Sequence, residues 1–257
     1  MVTLKIHNPY KSPVYHIKTA SSTMDISKKL ADDGALHGTV ITADFQEAGR
    51  GRKHDRIWEM EREENLPFTI LLRYKYMEDI PPALTLRTGL AVLSAIEDFS
   101  PQLKGSVMLK WPNDIMIGSK KAAGILCEAA NGNVHIGIGI NVAQKTFPQH
   151  LNEKATSIAL AAGSNNEVSD RFDLLEKILL ELYNEFERPQ EESWKLRIEK
   201  RLYKKGEYVL FTEGAADSGR DVRGKLAGIT DSGELLIVPE GESMPQSFIS
   251  GELRFDI

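Results

Sequence analysis

The sequence predicts an α+β protein, a mixed sheet flanked by helices and followed by a small all-β unit. Three observations carry this. Helix-period and strand-period apolar patterns alternate up to about residue 203. From about residue 204 the helical pattern stops, and short apolar runs divided by Gly, Asp and Ser take over. With 257 residues, 41% of them hydrophobic and 27% charged, the chain can bury a large core.

Ser21-Ser22-Thr23-Met24-Asp25 has the form of a helix start, with Ser22 as cap and Asp25 three residues on to answer it. Ile26 and Leu30 recur at helical spacing, and Asp33-Gly34 closes the helix. Residues 40–43 read as a strand running into a loop rich in glycine and cations, and residues 66–73 as a second strand. After Pro81-Pro82, Leu86, Leu90, Leu93 and Ile96 mark a buried helix over 86–99. A β block follows: a strand over 107–111 halted by Pro112, then strands over 115–117 and 123–128 about a Gly118-Ser119 turn. Asn131-Gly132-Asn133 turns the chain into a strand over 134–142. There Ile136, Ile138 and Ile140 share one face, and Gly137, Gly139 and Asn141 the other. Two alternating glycines leave that face bare, so that backbone or ligand can lie flat on it. Residues 163–166 form a loop. Phe172, Leu175, Leu179, Leu182 and Phe186 mark a long amphipathic helix, and a further helical stretch covers 191–202. Short strands at 208–211, 222–229, 234–238 and 248–255 predict a small antiparallel barrel or meander. The expected division is 1–203 and 204–257.

Composition excludes several classes. No apolar run approaches the ~20 residues of a membrane span, and no basic segment followed by an apolar one marks a signal peptide. The single Cys127 cannot form an intrachain disulfide, which fits a reducing, cytoplasmic setting. It stands in an apolar run and reads as a small buried hydrophobe. A net charge of −5 disfavours broad attraction to nucleic acid or membrane. His, Cys and Asp do not cluster at metal-ligand spacing, and neither a Walker loop nor G-x-S-x-G occurs.

Against that acidic background the run Gly49-Arg50-Gly51-Arg52-Lys53-His54-Asp55-Arg56-Ile57-Trp58 stands out. Arg forks bind phosphate or carboxylate in bidentate fashion, and Gly lets the backbone approach and move. The run is therefore a candidate anion site. Trp58 could stack on a planar base or anchor the core. At Lys110-Trp111-Pro112-Asn113-Asp114, polar groups follow a strand end, where open sheets place ligands. Asp114 could hold Mg²⁺ or a ribose hydroxyl, and Asn-Asp could equally serve a local turn. Lys120-Lys121 enters an apolar strand beside Gly124 and could set an ammonium over a ligand or simply be solvated. The Ser22-Thr23 cap offers hydroxyls and free N–H groups to a small polar head group.

In order, these pieces resemble the biotin protein ligases. The markers are Ser22-Thr23, Gln46-Glu47-Ala48-Gly49-Arg50-Gly51-Arg52, Arg56-x-Trp58, Asn65-Leu66, Lys110 to Asp114, and Lys121-x-x-Gly124-Ile125-Leu126-x-Glu128. They continue with Gly137-Ile138-Gly139-Ile140-Asn141, Ala155-Thr156-Ser157 and Ser250-Gly251-Glu252-Leu253, and so span nearly the whole chain. The resemblance implies a catalytic domain similar to class II aminoacyl-tRNA synthetases, followed by an SH3-like barrel. Some members carry an N-terminal helix-turn-helix that binds DNA. About 20 residues precede Ser22, too few for that module, so a ligase without DNA binding or membrane attachment is expected. Many relatives pair through the catalytic sheet, so a homodimer is one expected state.

The resemblance also implies a reaction and its residues. Biotin and MgATP give biotinoyl-5′-AMP, and a lysine of a biotin carboxyl carrier domain then takes the biotin. Lys121 and Arg52 are the implied catalytic cations. Ser22, Thr23, Met24, Gln46, Gly49, Arg50, Gly51, Arg52, Lys121, Gly124, Gly137 and Gly139 are expected around biotin, the glycines giving its fused rings room. Arg52, Arg56, Trp58, Lys110, Asn113, Asp114, Lys121 and Asn141 are expected around ATP, with Asp114 on Mg²⁺. A lipoate or octanoate ligase or transferase of the same fold is the nearest alternative, but those lack the Gly-Arg-Gly-Arg loop. A nucleic-acid-binding module is opposed by the net acidity and the lack of interleaved aromatics. Two departures from the family pattern are visible: a basic loop one residue longer than common versions, and an acidic run, Glu59-Met60-Glu61-Arg62-Glu63-Glu64, after Trp58. That run is expected to fold back on the basic loop when no ligand is bound.

Overall fold

The computed structural model describes residues 1–52, 58–163, 170–214 and 219–254. Its larger part is an eight-stranded mixed sheet. The strands are β1 (Val2–Thr3), β2 (Val14–Ile17), β3 (Thr39–Ala43), β4 (Asn65–Arg73), β5 (Val107–Lys110), β6 (Asp114–Ile117), β7 (Lys120–Ala130) and β8 (Asn133–Asn141). They lie in the order β1-β2-β3-β4-β8-β7-β6-β5. Only β2 and β3 pair in parallel; the other neighbours are antiparallel.

β3 and nearly all of β4 are buried along their length, so the centre of the sheet is covered on both faces. The helices that cover it are α1 (Thr23–Asp32), α2 (Leu84–Phe99), α3 (Ile158–Ala162), α4 (Arg171–Glu187) and α5 (Trp194–Arg201). α1 lies on the glycine face of β8, where the Met24 methyl meets Gly137. α2 and α4 cover the opposite face and pack on each other. Leu174, Leu175, Ile178, Leu179 and Leu182 of α4 are fully buried, worth about 1.5–3 kcal/mol each. α1 stops where expected: Asp33 caps it, and Gly34 turns the chain at φ +85°.

Beyond α5 the chain forms a second, five-stranded antiparallel sheet. It comprises β9 (Tyr208–Glu213), β10 (Arg220–Ile229), β11 (Leu235–Pro239), β12 (Gln246–Phe248) and β13 (Gly251–Arg254), in the order β12-β11-β10-β9-β13. The single strand expected over 248–255 is two strands, broken at Ile249 and Ser250. The two sheets are joined where Trp111 Nε1 donates to the Gly233 carbonyl, in the β10–β11 turn, at 3.0 Å, and the segment after α5 is fixed to β5 by the Tyr203 amide donating to Leu109 O at 2.8 Å. β1, β2 and α3 were not expected from the sequence. Among the described residues no helix is long and apolar enough to cross a membrane.

Cys127 is half-buried against the core rather than fully inside it. Desolvation there pushes its thiol pKa up to about 11, so it stays protonated and inert.

Candidate active site

A cavity of about 980 Å³ opens over the glycine face of β7 and β8. Nearly all of the expected site residues that the structure describes line it: Ser22, Thr23, Met24, Gln46, Arg50, Gly51, Arg52, Trp58, Lys110, Asn113, Asp114, Lys121, Gly124, Gly137, Gly139 and Asn141. Gly49 sits at the base of the basic loop, where its carbonyl accepts the Trp58 amide at 2.8 Å. Arg56 lies outside the described residues.

The same-face positions of β8 measure out the chemistry along the cavity. At Gly137 the surroundings are neutral and polar. Thr23 donates to Gln46 Oε1 through its amide (2.8 Å) and its hydroxyl (2.9 Å). Thr69 Oγ1 donates to Thr23 Oγ1 at 2.9 Å and lies 3.6 Å from where a Gly137 Cβ would stand. Ser22 caps α1 by accepting from the Met24 amide at 3.3 Å. At Gly139 stand the Trp58 indole and, 5.5 Å from its centroid, the Lys121 ammonium. At Asn141, Nδ2 donates to Thr156 O at 3.0 Å, and the buried Oδ1 has no partner among the described residues. Each step of two residues is about 7 Å, so the three environments span about 14 Å.

Lys121 owes its place to an irregularity. Asp114 pairs with Gly124 and Ile115 with Ala123, but Met116 then pairs with Lys121, leaving Ala122 over. In a regular ladder Lys121 would point to the opposite face from Asp114. The bulge returns it to the face of Asp114 and Met116, and Lys121 Nζ comes within 2.6 Å of Asp114 Oδ1. The backbone of Lys121 is held on its far side by Lys154 O and the Thr156 amide. Asn113 is fixed by a two-way contact with Ile125: Nδ2 donates to Ile125 O at 2.8 Å, and Asn113 O accepts the Ile125 amide at 2.9 Å.

Two expectations are corrected. The face of Gly137 and Gly139 is not bare. The Met24 methyl covers Gly137 and the Trp58 indole covers Gly139, so the glycines make room for protein side chains first. Arg50 lines the cavity and is engaged by a carboxylate of the protein itself, its Nη2 donating to Asp25 Oδ1 at 2.5 Å. Asp25 is therefore engaged with the basic loop rather than answering the Ser22 cap. In the acidic run Glu59 reaches His150 (2.9 Å) and Arg62 reaches Lys18 O and Thr19 Oγ1; its expected contact with the basic loop falls on residues 53–57, which lie outside the described residues. Arg52 donates to the Gly251 carbonyl of β13 at 2.6 Å, which brings the basic loop onto the second sheet.

Sequence reasoning missed several lining residues. Thr69 sits inside an apolar strand, and Phe147, His150 and Leu151 belong to a loop without periodicity. Glu252 and Leu253 stood within the Ser250-Gly251-Glu252-Leu253 marker, which was the available signal.

A buried network supports the site from below. Asp44, at the end of β3, accepts from His16 Nε2 at 2.7 Å and from Arg171 Nη2. Burial alone would raise the Asp44 pKa, but the bonds and charges of His16 and Arg171 outweigh it and hold the carboxyl below its ordinary value. Arg171 Nη1 also reaches Asn65 O at 3.2 Å, tying α4 to the start of β4. At the other end, His135 lies 2.8 Å from Ser27 Oγ. Burial, with Lys28 nearby, lowers its pKa, so it stays neutral.

Comparison with known proteins agrees with this geometry. Residues 16–144 match the model of the biotin/lipoate A/B protein ligase family. The bifunctional ligase/repressor BirA of Bacillus subtilis is 39% identical over 178 residues, covering 65% of this chain and 51% of that protein. The biotin–(acetyl-CoA-carboxylase) ligase of Mycobacterium tuberculosis is 33% identical over 161 residues, 60% of this chain and 58% of that one. The chain thus aligns with little more than half the length of these curated relatives. Among solved structures, the Aquifex aeolicus biotin protein ligase in complex with biotin and ATP superposes with a TM-score of 0.77 at 29% identity, covering 95% of this chain and 98% of that one.

Proposed function

This chain belongs to the biotin/lipoate A/B protein ligase family, and on that premise we propose that it is a biotin protein ligase. It activates biotin with MgATP to biotinoyl-5′-AMP, releasing pyrophosphate, and passes the biotinoyl group to a lysine of a biotin carboxyl carrier domain, releasing AMP. In the same reading, the larger sheet is the catalytic domain of class II synthetase type. The five-stranded sheet, from about residue 204, is the SH3-like module.

The order of chemistry along β8 carries the proposal. Neutral hydroxyls and an amide at Gly137, an indole and an ammonium at Gly139, and a carboxamide at Asn141 follow the order of parts in an acyl adenylate. The ureido ring needs neutral donors and acceptors, which Ser22, Thr23 and Gln46 supply. The carboxylate must approach the α-phosphate, and like charges repel unless cations stand between them. Lys121 bridges the two and Arg52 joins it, leaving the Gly251 carbonyl. Asn141 Oδ1 and Asn113 serve the nucleotide, and Trp58 gives it an aromatic face. Water is excluded by the basic loop, whose base is closed by the Gly49–Trp58 bond.

Mg²⁺ keeps most of its shell from phosphate and water and takes one or two carboxylates from protein. The donor set fits that pattern: Asp114 stands on the cavity wall beside Asn113 and Lys121, and no group of three or more His, Cys, Asp or Glu that could hold a metal ion occurs among the described residues. Asp114 would hold the ion, which neutralises phosphate charge when bound.

The test is biotin-dependent exchange of labelled pyrophosphate into ATP. Exchange with biotin and none with lipoate is expected. Exchange with lipoate alone would overturn the assignment in favour of the related acyl ligases.

A further inference from the structure

Gly124 and Gly139 face each other directly across β7 and β8, and Gly139 lies opposite Pro67 on its other side. A side-chain carbon on Gly139 would stand 2.7 Å from Trp58 Cε2 and 3.0 and 3.1 Å from two of the atoms bonded to it, Nε1 and Cδ2. A ring-fusion atom nearest, with its bonded neighbours almost equidistant, is the pattern of approach from above the ring. The indole therefore lies flat on Gly139. A carbon on Gly124 would meet Trp58 Cζ3 at 3.1 Å and Lys121 Nζ at 3.1 Å. A third glycine, Gly49, passes the Trp58 Cβ and carbonyl at 3.2 Å from its own missing side chain.

Trp58 is thus set down on a floor of two paired glycines and held at its backbone by a third. None of the three has positive φ, so backbone freedom does not explain glycine here; the space above the backbone does. The indole Nε1–H is buried and has no partner among the described residues. A buried donor left unpaired is costly, so the ring's flat pose is fixed by the floor and by Lys121 rather than by a bond at its edge.

We infer that Gly124 and Gly139 are positioning residues. They set the plane of Trp58, and through it the place of Lys121 and the end of the basic loop that Trp58 closes. The inference rests on the proposed activity for its consequence, but the seat itself can be read without activity. A methyl at Gly139 must lift the indole, because its nearest contact is a rigid ring atom closer than real side-chain carbons stand. It then disturbs the ammonium above.

The experiment compares Gly139→Ala in two backgrounds, Trp58 and Trp58→Val. With Trp58 present, the alanine lowers kcat/KM for pyrophosphate exchange by roughly 100-fold, as misplacement of about 1 Å in a catalytic constellation does. In the Trp58→Val background the same alanine costs less than about 3-fold, because contacting residues couple where independent sites add. In parallel, acrylamide quenching of tryptophan fluorescence rises in Gly139→Ala at unchanged circular dichroism. Equal losses in both backgrounds, or unchanged quenching, would overturn the seat. Should Gly139→Ala fail to fold, Gly124→Ala takes its place with the same two readouts. Absence of exchange in the unaltered protein would count against the ligase reading alone, and the quenching result would still decide the seat.

Discussion

Arg50 of the basic loop and Asp25 of α1 meet at 2.5 Å, Nη2 to Oδ1, so the first arginine of the loop is a tether. The second, Arg52, reaches the far side of the cavity. One loop thus holds on to the helix that presents Ser22 and Thr23, and also touches the second sheet. Both partners of the tether are about two-fifths exposed, and such pairs contribute about 0–1 kcal/mol. Asp25→Asn is expected to leave the urea midpoint almost unchanged while making the loop more sensitive to protease. An unaltered proteolysis rate would count against the tether.

Lys121→Ala removes the cation from the junction between acyl and nucleotide ends. Loss of one group that stabilises developing charge costs about 100- to 1000-fold in rate, and a loss at or beyond that range is expected in pyrophosphate exchange. Thermal unfolding should barely change, since the side chain is one-third exposed. Near-normal exchange would refute the role.

Arg52→Gly removes a cation and its contact with Gly251. The expected outcome is that biotinoyl-AMP forms but escapes. It should be measurable as free adenylate in the filtrate of a reaction without acceptor. Full retention of the intermediate on the protein would sink this.

The pH dependence of stability has a contribution of known sign. Asp44 has a depressed pKa in the folded state. Its stabilisation is present above the unfolded carboxyl pKa of about 3.9 and is lost as pH falls through the lower folded value. Between pH 6 and pH 3, the urea midpoint of the unaltered protein should fall more steeply than that of Asp44→Asn. Parallel curves would show that the His16 and Arg171 contacts do not hold the carboxylate.

Much of this was legible in the sequence, for physical reasons that differ from place to place. β4 and β8 could be read because a strand buried on both faces, or bare on one, leaves a pattern in its own residues. The sidedness of Gly137, Gly139 and Asn141 followed from a period of two. What covers those glycines could not be read: Met24 and Trp58 come from distant segments, and only the packed fold brings them over β8. The bulge at Ala122 was hidden too, since Lys120 to Gly124 looks like a regular strand entrance and only the register with β6 shows the extra residue. β1 and β2 are short and draw their stability from their neighbours, β2 from β3 and β1 from β2, which their own composition does not announce. Ile249 and Ser250 look like strand residues, yet they fall between β12, which pairs with β11, and β13, which starts at Gly251 and pairs with β9; only the fold shows that the chain changes partner strand there.

Glu252, Leu253 and Arg254 belong to the second sheet and yet form part of the cavity wall, with the Gly251 carbonyl taking Arg52 beside them. The second sheet is therefore not an appendage that could be cut away or exchanged as a cassette. A chain ended before β9 would keep every residue of the Lys121 junction and lose the side of the cavity formed by Glu252, Leu253 and Arg254. Any graft of a foreign module in that place would have to bring its own wall.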